Sequence, residues 1–296
     1  MKSLLIFGFG YSARALALHL LAQGWQVAAT TRSAAKAEAM RALGIAPHIW
    51  PGADMRAALA AASHVLISAG PDAAGDPVLN ALAGEFAAAT HVKWLGYLST
   101  TGVYGDAGGG WVDEDTVRVP AGSRGQLRVE AEDGWLALHR ANGLAVHIFR
   151  LAGIYGPGRG PFAKLRAGTA RRIIKPNQVF SRIHVDDITQ VLAASMAQPD
   201  PGRAYNVCDD EPAPPQDVIA AAARLLGMEP PAEESFESAQ MGAMAKSFYG
   251  ESKRVSNARI KAELGVNLRY PTYMAGLRAV LAAEGNSSPA APHSDS

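Results

Sequence analysis

Six residues close to the amino terminus have the types and spacing of a phosphate cradle. Gly8-Phe9-Gly10-Tyr11-Ser12-Ala13 follows a short apolar run, Ser3–Phe7, and leads into the Ala- and Leu-rich stretch Ala13–Gln23. In a G-x-G-x-x-A loop between a strand and a helix, the first glycine permits the tight turn. The second lets backbone N–H groups approach a pyrophosphate, and the small third residue lets helix and strand pack closely. The helix amino terminus adds the positive end of its dipole. A plain strand-to-helix turn would also use these glycines, but the flanking elements are those the phosphate-binding mechanism requires.

The next informative group closes the second strand candidate, where NAD-binding folds usually place an Asp or Glu on the ribose 2′-OH. Here the strand ends Thr30-Thr31-Arg32-Ser33, Lys36 follows, and no acid appears before Glu38. Arg32 can clasp a 2′-phosphate, with Thr31 and Ser33 donating hydrogen bonds and Lys36 adding charge. NADP is therefore favoured over NAD. A solvated charge at a strand end is the alternative for Arg32.

These loops need a scaffold, and the chain supplies a regular one. Strand candidates at Ser3–Phe7, Gln26–Thr30, Ala46–Trp50, His64–Ser68, Lys93–Ser99 and Ala145–Arg150 alternate with helical stretches. The helices are expected at Ala13–Gln23, Ala34–Leu43, Met55–Ala61, Val78–Thr90 and Gly125–Asn142. That alternation predicts an α/β fold with a Rossmann-type, doubly wound parallel sheet. After Arg150 the rhythm breaks at Gly156-Pro157-Gly158-Arg159-Gly160-Pro161, and further prolines follow at 212–215 and 230–231. One more strand, Arg203–Cys208, is expected to return to the sheet. Residues 1–152 plus 181–208 then form the dinucleotide domain, and 153–180 plus 209–283 a smaller carboxy-terminal substrate lobe. From Glu284 to 296 the chain reads as a disordered tail.

Composition excludes other classes. Of 296 residues, 48% are hydrophobic and 19% charged, ample for a core. Lys+Arg 28 against Asp+Glu 27 leaves a net charge of +1, without the basic field of a dedicated nucleic-acid binder. Cys208 is the single cysteine, so neither an intrachain disulfide nor a thiolate metal cluster is expected. No apolar run reaches the roughly 18 residues of a membrane span, and the amino terminus lacks signal-peptide features. The expectation is a soluble cytoplasmic protein with a small-molecule substrate, no nucleic-acid or membrane partner and no metal.

A longer series of motifs runs through the middle of the chain. It comprises Leu98-Ser99-Thr100-Thr101-Gly102-Val103-Tyr104-Gly105, then Asp113-Glu114-Asp115, Pro120, Phe149-Arg150 and Ile154-Tyr155-Gly156-Pro157-Gly158. Arg182-Ile183-His184-Val185-Asp186-Asp187 and Tyr205-Asn206-Val207 complete it. In this order, from the glycine loop to Leu264-Gly265, the series resembles the extended short-chain dehydrogenase/reductase family of nucleotide-sugar epimerases and dehydratases. The resemblance implies a Rossmann domain binding NAD(P), with Ser68-Ala69-Gly70 bordering the adenosine and its ribose. It also implies a Ser/Thr and a Tyr-x-x-x-Lys pair that handle proton and hydride transfer. The Ser/Thr falls at Thr100, with Ser99 beside it. Family habit adds a homodimer through Val78–Thr90 and Gly125–Asn142.

The departure lies at the Tyr and Lys. Between Pro120 and Glu130-Ala131-Glu132 the chain reads Arg124-Gly125-Gln126-Leu127-Arg128, so Arg124 stands for the Tyr and Arg128 for the Lys. Arg128 can hold nicotinamide ribose hydroxyls as an ammonium would. Arginine cannot replace a phenol as a proton donor, which leaves Arg124 a substrate-binding group. The Asp-Glu pair of the sugar dehydratases is Thr101-Gly102 here, so that elimination lacks its acid and base.

Replacement groups can be sought nearby. Tyr104 is a packing or substrate-binding residue, and Asp106, Asp113 and Glu114 share its loop. A literal Tyr249-x-x-x-Lys253 occurs in the second lobe, where coincidence of spacing is the simpler explanation. Arg159, Lys164, Arg166, Arg171, Arg172, Lys175 and Arg182 are either a solvated basic face or a lining for an anionic, nucleotide-linked substrate, Arg182 above all. His184 has no metal-ligand spacing, Asp186 and Asp187 suit a helix cap, and Cys208 suits a core. These features match an atypical branch that keeps the fold but loses the catalytic tetrad. Two functions remain in play: an NADP(H)-dependent oxidoreductase or epimerase, and a catalytically silent NADP(H)-binding sensor.

Overall fold

Every residue of β1 (Ser3–Phe7) after the first is buried, and side-chain alternation sends Leu4 and Ile6 to one face, Leu5 and Phe7 to the other. A strand buried on both faces needs helices above and below it, and the computed structural model shows that arrangement. The structure describes residues 2–242, 246 and 248–286.

The first half alternates as expected. α1 (Tyr11–Leu21), β2 (Gln26–Thr31), α2 (Ala34–Ala42), β3 (Ala46–Ile49), α3 (Arg56–Ala61), β4 (His64–Ile67), α4 (Pro77–Ala87) and β5 (Trp94–Thr100) follow β1. A 3-10 turn, Thr101–Tyr104, and the short β6 (Trp111–Val112) precede α5 (Ser123–Asn142) and β7 (Val146–Leu151). Next come β8 (Gly153–Tyr155), α6 (Phe162–Arg166), β9 (Arg172–Ile174), β10 (Arg182–His184), α7 (Val185–Ala197) and β11 (Ala204–Val207). α8 (Pro215–Leu225), β12 (Glu233–Ser235), β13 (Arg254–Val255), α9 (Ala258–Leu264) and α10 (Tyr273–Asn286) complete the described chain.

Seven strands form one parallel sheet in the order β3-β2-β1-β4-β5-β7-β11. Leu4 pairs with Val27 on one side and His64 on the other, so the strand order reverses about β1. In such sheets ligands bind outside the carboxyl ends of the strands at that reversal. The edge strand expected at Arg203–Cys208 is present as β11, paired with β7.

Two cores cover the sheet. Leu16, Leu20, Trp94, Phe149, Ile188, Leu192 and Tyr205 pack on the α1 and α7 face. Phe7, Val78, Phe86, Tyr97, Trp135 and Ile148 pack on the α4 and α5 face. Asp76 caps α4 ahead of Pro77 by accepting from Val78 N and Leu79 N at 2.9 and 3.0 Å, and its second oxygen accepts from Trp135 Nε1 on α5. A separate core of Tyr155, Phe162, Leu165, Val218, Ala222, Leu277 and Val280 lies under α6, α8 and α10.

The expected tail needs one correction. Residues 284–286 continue α10, and Glu284 accepts an ion pair from Arg166 at 2.6 Å, a contact remote in sequence. Residues 287–296 lie outside the described part of the chain. No helix among the described residues is long and apolar enough to cross a membrane.

Candidate active site

The glycine loop sits where the strand order reverses. Gly8 has φ +91°, and a Cβ there would lie 2.7 Å from the Ala69 amide nitrogen, so only glycine lets the loops after β1 and β4 pack together. Gly8 N donates to Thr30 Oγ1 at 2.9 Å, and Ser68 N and Ala69 N both donate to Phe7 O at 2.8 Å. Gly10 precedes α1 in extended conformation, and a Cβ there would meet nothing within 4 Å. No side chain caps the first turn of α1, and no acid lies in it. Ala13 is fully buried against the sheet and Ser12 is buried beside it.

At the end of β2, Thr31 Oγ1 accepts from Ser33 N, and Ser33 Oγ accepts from Lys36 N as the cap of α2. Both hydroxyl protons remain for another acceptor. Arg32 and Lys36 are exposed and have no ion pair among the described residues.

At the end of β5 the structure separates the expected catalytic residues. Thr100 Oγ1 accepts from Gly102 N at 3.1 Å, and its own proton remains for another acceptor. Ser99 does not share that role. Its hydroxyl is buried and donates to Glu132 Oε1 at 2.5 Å, so Ser99 belongs to the core rather than to catalysis. Arg128 Nη1 donates to Leu98 O at 2.6 Å and to Tyr97 OH at 3.3 Å. Its Nη2 lies 2.8 Å from where a Gly70 Cβ would stand, so Arg128 spans the ends of β5 and β4. Arg124, in the first turn of α5, is exposed and unpaired among the described residues. The following Gly125 packs so tightly that a Cβ would lie 2.8 Å from Gly102 O, which sets this turn beside Thr100.

Tyr104 is a correction. It is buried, donates to Asn206 Oδ1 and accepts from Arg150 Nη1, both at 2.8 Å, and burial pushes its pKa up to about 12. Arg182 Nη1 donates to Phe180 O and Ala213 O at 2.9 and 3.0 Å, and the side chain lines a small cavity with Tyr155, Pro161, Val218, Tyr273 and Leu277. The candidate proton donors serve the loop itself. Asp106 accepts from Ser252 N and Gly108 N, and Asp113 from Asp115 N and Thr116. Glu114, its pKa raised by burial, accepts from Asn206 N at 2.7 Å. Lys253 donates to Gly105 O at 2.5 Å, and Tyr249 stacks edge-on with Phe180, so the literal motif is coincidental. His184, rather than the two aspartates, caps α7 through Nδ1, and Asp187 accepts from Arg269 N and Tyr270 N. Cys208 is fully buried in the core.

The basic residues of the second lobe are mostly engaged. Arg166, Arg171 and Arg172 pair with Glu284, Glu234 and Glu233, and Lys175 donates to Tyr249 O. Only Arg159 and Lys164 of that group lack an ion pair or a side-chain hydrogen bond among the described residues.

Sequence reasoning missed the network beneath the site. Glu132, without exposure, receives Arg150 Nη2 at 2.8 Å, Arg118 Nη1 at 3.0 Å and the Ser99 hydroxyl. Two signals were present: a charge, Arg150, inside the wholly buried β7, and Glu132 on the α5 face that carries Ala131 and Trp135.

The residues fit a dinucleotide. Open space at Gly10 and the uncapped amides of α1 are what a pyrophosphate requires, and at the end of β2 and start of α2 stand hydroxyl donors with Arg32 and Lys36, unpaired among the described residues.

No family model matches the chain. It is 32% identical over 289 residues to "Protein YeeZ" of Escherichia coli (strain K12), covering 92% of this chain and 97% of that protein. A Streptomyces "3-diazoavenalumate denitrifying reductase" is 30% identical over 172 residues, 51% of this chain and 56% of the relative. Among solved structures, a functionally unknown conserved protein from Silicibacter pomeroyi superposes with a TM-score of 0.92 at 57% identity, covering 96% of this chain and 99% of that one. The dTDP-glucose 4,6-dehydratase of Bacillus anthracis, solved in complex with NAD, gives 0.77 at 15% identity, covering 97% of this chain and 98% of the other, and shares the fold. The chain belongs to one family with Protein YeeZ and the Silicibacter protein, and its fold is that of the extended short-chain dehydrogenases/reductases.

Proposed function

We propose that this protein is an NADP(H)-dependent oxidoreductase acting on the hydroxyl or carbonyl carbon of a small anionic substrate. The observation that carries the reading is the dinucleotide cradle whose β2 end offers Arg32, Lys36 and two hydroxyl donors and no acid. When bound, the nicotinamide supplies or accepts hydride at C4. Gly8 and Gly10 shape the phosphate loop, and the first-turn amides of α1 donate to the phosphates. Arg32, Thr31, Ser33 and Lys36 hold the 2′-phosphate. Arg128, fixed by Leu98 O, orients the nicotinamide ribose. Thr100 donates its free hydroxyl proton to the substrate oxygen, and Arg124 binds the substrate's anionic group. No phenol stands at Arg124, so the proton reaches the developing alkoxide from solvent.

The Streptomyces relative, named as a reductase, supports hydride delivery over epimerisation. The engagement of Arg166, Arg171, Arg172, Lys175 and Arg182 by the protein itself supports a smaller anion over a nucleotide sugar. The test is NADPH consumption over a panel of carbonyl compounds. Thr100→Ala is expected to abolish turnover and keep NADPH affinity.

A second reading, a silent NADP(H)-binding sensor, draws support from Ser99, whose hydroxyl is given to Glu132 and lost to catalysis. NADPH binding by wild type with no turnover of any compound in the panel would favour it.

A further inference from the structure

We infer that Arg159, on the loop between β8 and α6, is a strap that closes the second lobe over the dinucleotide loop and places its guanidinium against the cofactor's pyrophosphate. The inference rests on the dinucleotide-binding reading above.

The loop is a tight, closed turn. Gly156 N donates to Arg159 O and Arg159 N donates to Gly156 O, both at 2.9 Å, so the position of Arg159 is set by its own backbone. The turn is seated on Tyr11, whose hydroxyl donates to Pro157 O at 2.9 Å. The seat is close: at Gly156 a Cβ would lie 2.5 Å from the Tyr11 oxygen and 2.8 Å from Val185 Cγ1, at a φ of +156°. Only glycine permits that approach.

Tyr11 is the first residue of α1 and directly follows Gly10. A pyrophosphate that reaches the first-turn amides must therefore lie against this residue. The Arg159 guanidinium stands 5.6 Å from the centroid of the Tyr11 ring, within cation–π range. It has no ion pair or side-chain hydrogen bond among the described residues, so its planar array of donors is uncommitted. The groups around Tyr11 agree with this placement. Burial raises the Tyr11 hydroxyl pKa, the Arg159 charge opposes the rise, and the Asp186 charge adds to it. Asp186 itself lies 3.6 Å from Arg269 and 3.8 Å from His184 Nδ1, and Arg159 has no acid of its own among the described residues.

The division of labour follows from position. Arg32 and Lys36 stand at β2, where a 2′-phosphate distinguishes the two nicotinamide cofactors. Arg159 stands at the glycine loop, where the pyrophosphate is common to both. A guanidinium can grip a phosphate with two parallel hydrogen bonds, and here it would tie the second lobe to the bound cofactor.

Calorimetric titration of the full chain with NADPH, NADH, ADP and adenosine 2′-monophosphate tests the inference. Arg159→Gln is compared with wild type, with Arg32→Gln and with Arg14→Gln, an exposed arginine one turn along α1. Arg159→Gln is expected to weaken NADPH, NADH and ADP by a common factor of about tenfold or more and to leave adenosine 2′-monophosphate unchanged. In stopped flow, NADPH should leave this variant faster. Arg32→Gln should weaken NADPH and adenosine 2′-monophosphate alone. Dinucleotide affinities within twofold of wild type in Arg159→Gln, or an equal loss in Arg14→Gln, would overturn the strap and leave the cofactor reading standing. If wild type binds neither dinucleotide, the cofactor reading itself fails and the strap with it.

Discussion

The guanidinium of Arg128 lies 2.8 Å from the point where a side chain on Gly70 would begin, and its other nitrogen holds Leu98 O at 2.6 Å. A residue on α5 thus bridges the loops after β4 and β5. The bridge is exchangeable at one end. Gly70→Ala would push against the far end of a flexible side chain, so the fold should lose less than about 0.5 kcal/mol in urea unfolding. The displaced guanidinium should nevertheless weaken NADPH binding, and Arg128→Met should weaken it about tenfold, with part restored by Arg128→Lys. Unaltered NADPH affinity in both Gly70→Ala and Arg128→Met would remove Arg128 from the cofactor site.

The two glycines of the phosphate loop should fail in opposite ways. At Gly8 the added Cβ meets backbone, Ala69 N at 2.7 Å, in a left-handed conformation, and neither neighbour can yield. Gly8→Ala should cost about 1–3 kcal/mol of stability. At Gly10 the Cβ meets no protein atom within 4 Å but enters the space a phosphate needs. Gly10→Ala should keep the unfolding midpoint and lose dinucleotide affinity. Equal unfolding midpoints for the two variants would contradict the loop geometry described here.

Beneath the site, the Glu132–Arg150 pair is buried with every oxygen of the carboxylate engaged. Removing one partner strands the other charge in the core, so Arg150→Met should destabilise by about 3–5 kcal/mol. The double variant Glu132→Gln with Arg150→Met should recover part of that loss, read as a positive coupling in a double-mutant cycle. Additive losses would mean that the two side chains act independently.

How much of this was legible in the sequence depended on the range of the interaction. β1 was read at its observed bounds, because a run of apolar residues before a glycine loop is a local signal. The glycine loop, the basic end of β2 and the Arg128 substitution were local too, and the structure brings them to the carboxyl end of the sheet. Ser99 was misread because its fate is set by Glu132, 33 residues away on α5. For Tyr104 the sequence left packing and substrate binding open, because Asn206 and Arg150, which hold its hydroxyl, lie on two distant strands. The two carbonyls that hold Arg182 Nη1, Phe180 O and Ala213 O, were not visible in the local sequence either. Glu284 looked unstructured because no local pattern shows that Arg166 will meet it.

Asp209 gives the fold a pH dependence. It follows β11 with 1% exposure, one oxygen accepts from Glu211 N at 3.3 Å, and the other has no partner among the described residues. Burial pushes its pKa up to about 8, against the pull of the Glu211 amide and of Arg182, with Glu211 and Asp210 adding to the rise. An unfolded aspartate ionises near about 4, so between that pH and 8 the native state binds more protons than the unfolded chain. Its contribution therefore lowers stability as pH rises through that window and levels off above it. Asp209→Asn should match wild type at pH 4 and exceed it at pH 8 in urea unfolding. Parallel stability curves for the two proteins from pH 5 to 8 would show that this carboxyl is ionised in the native state.

The central claim is that the loop at Gly8 and Gly10 holds a nicotinamide dinucleotide and that Arg32 selects the phosphorylated one. Calorimetric titration of wild type with NADPH and with NADH, after removal of copurified nucleotide, tests it most directly. The account predicts binding of both, with NADPH preferred by about tenfold or more and the preference erased in Arg32→Gln. Failure to bind either nucleotide would contradict the cofactor assignment, and a preference for NADH would contradict the role of Arg32.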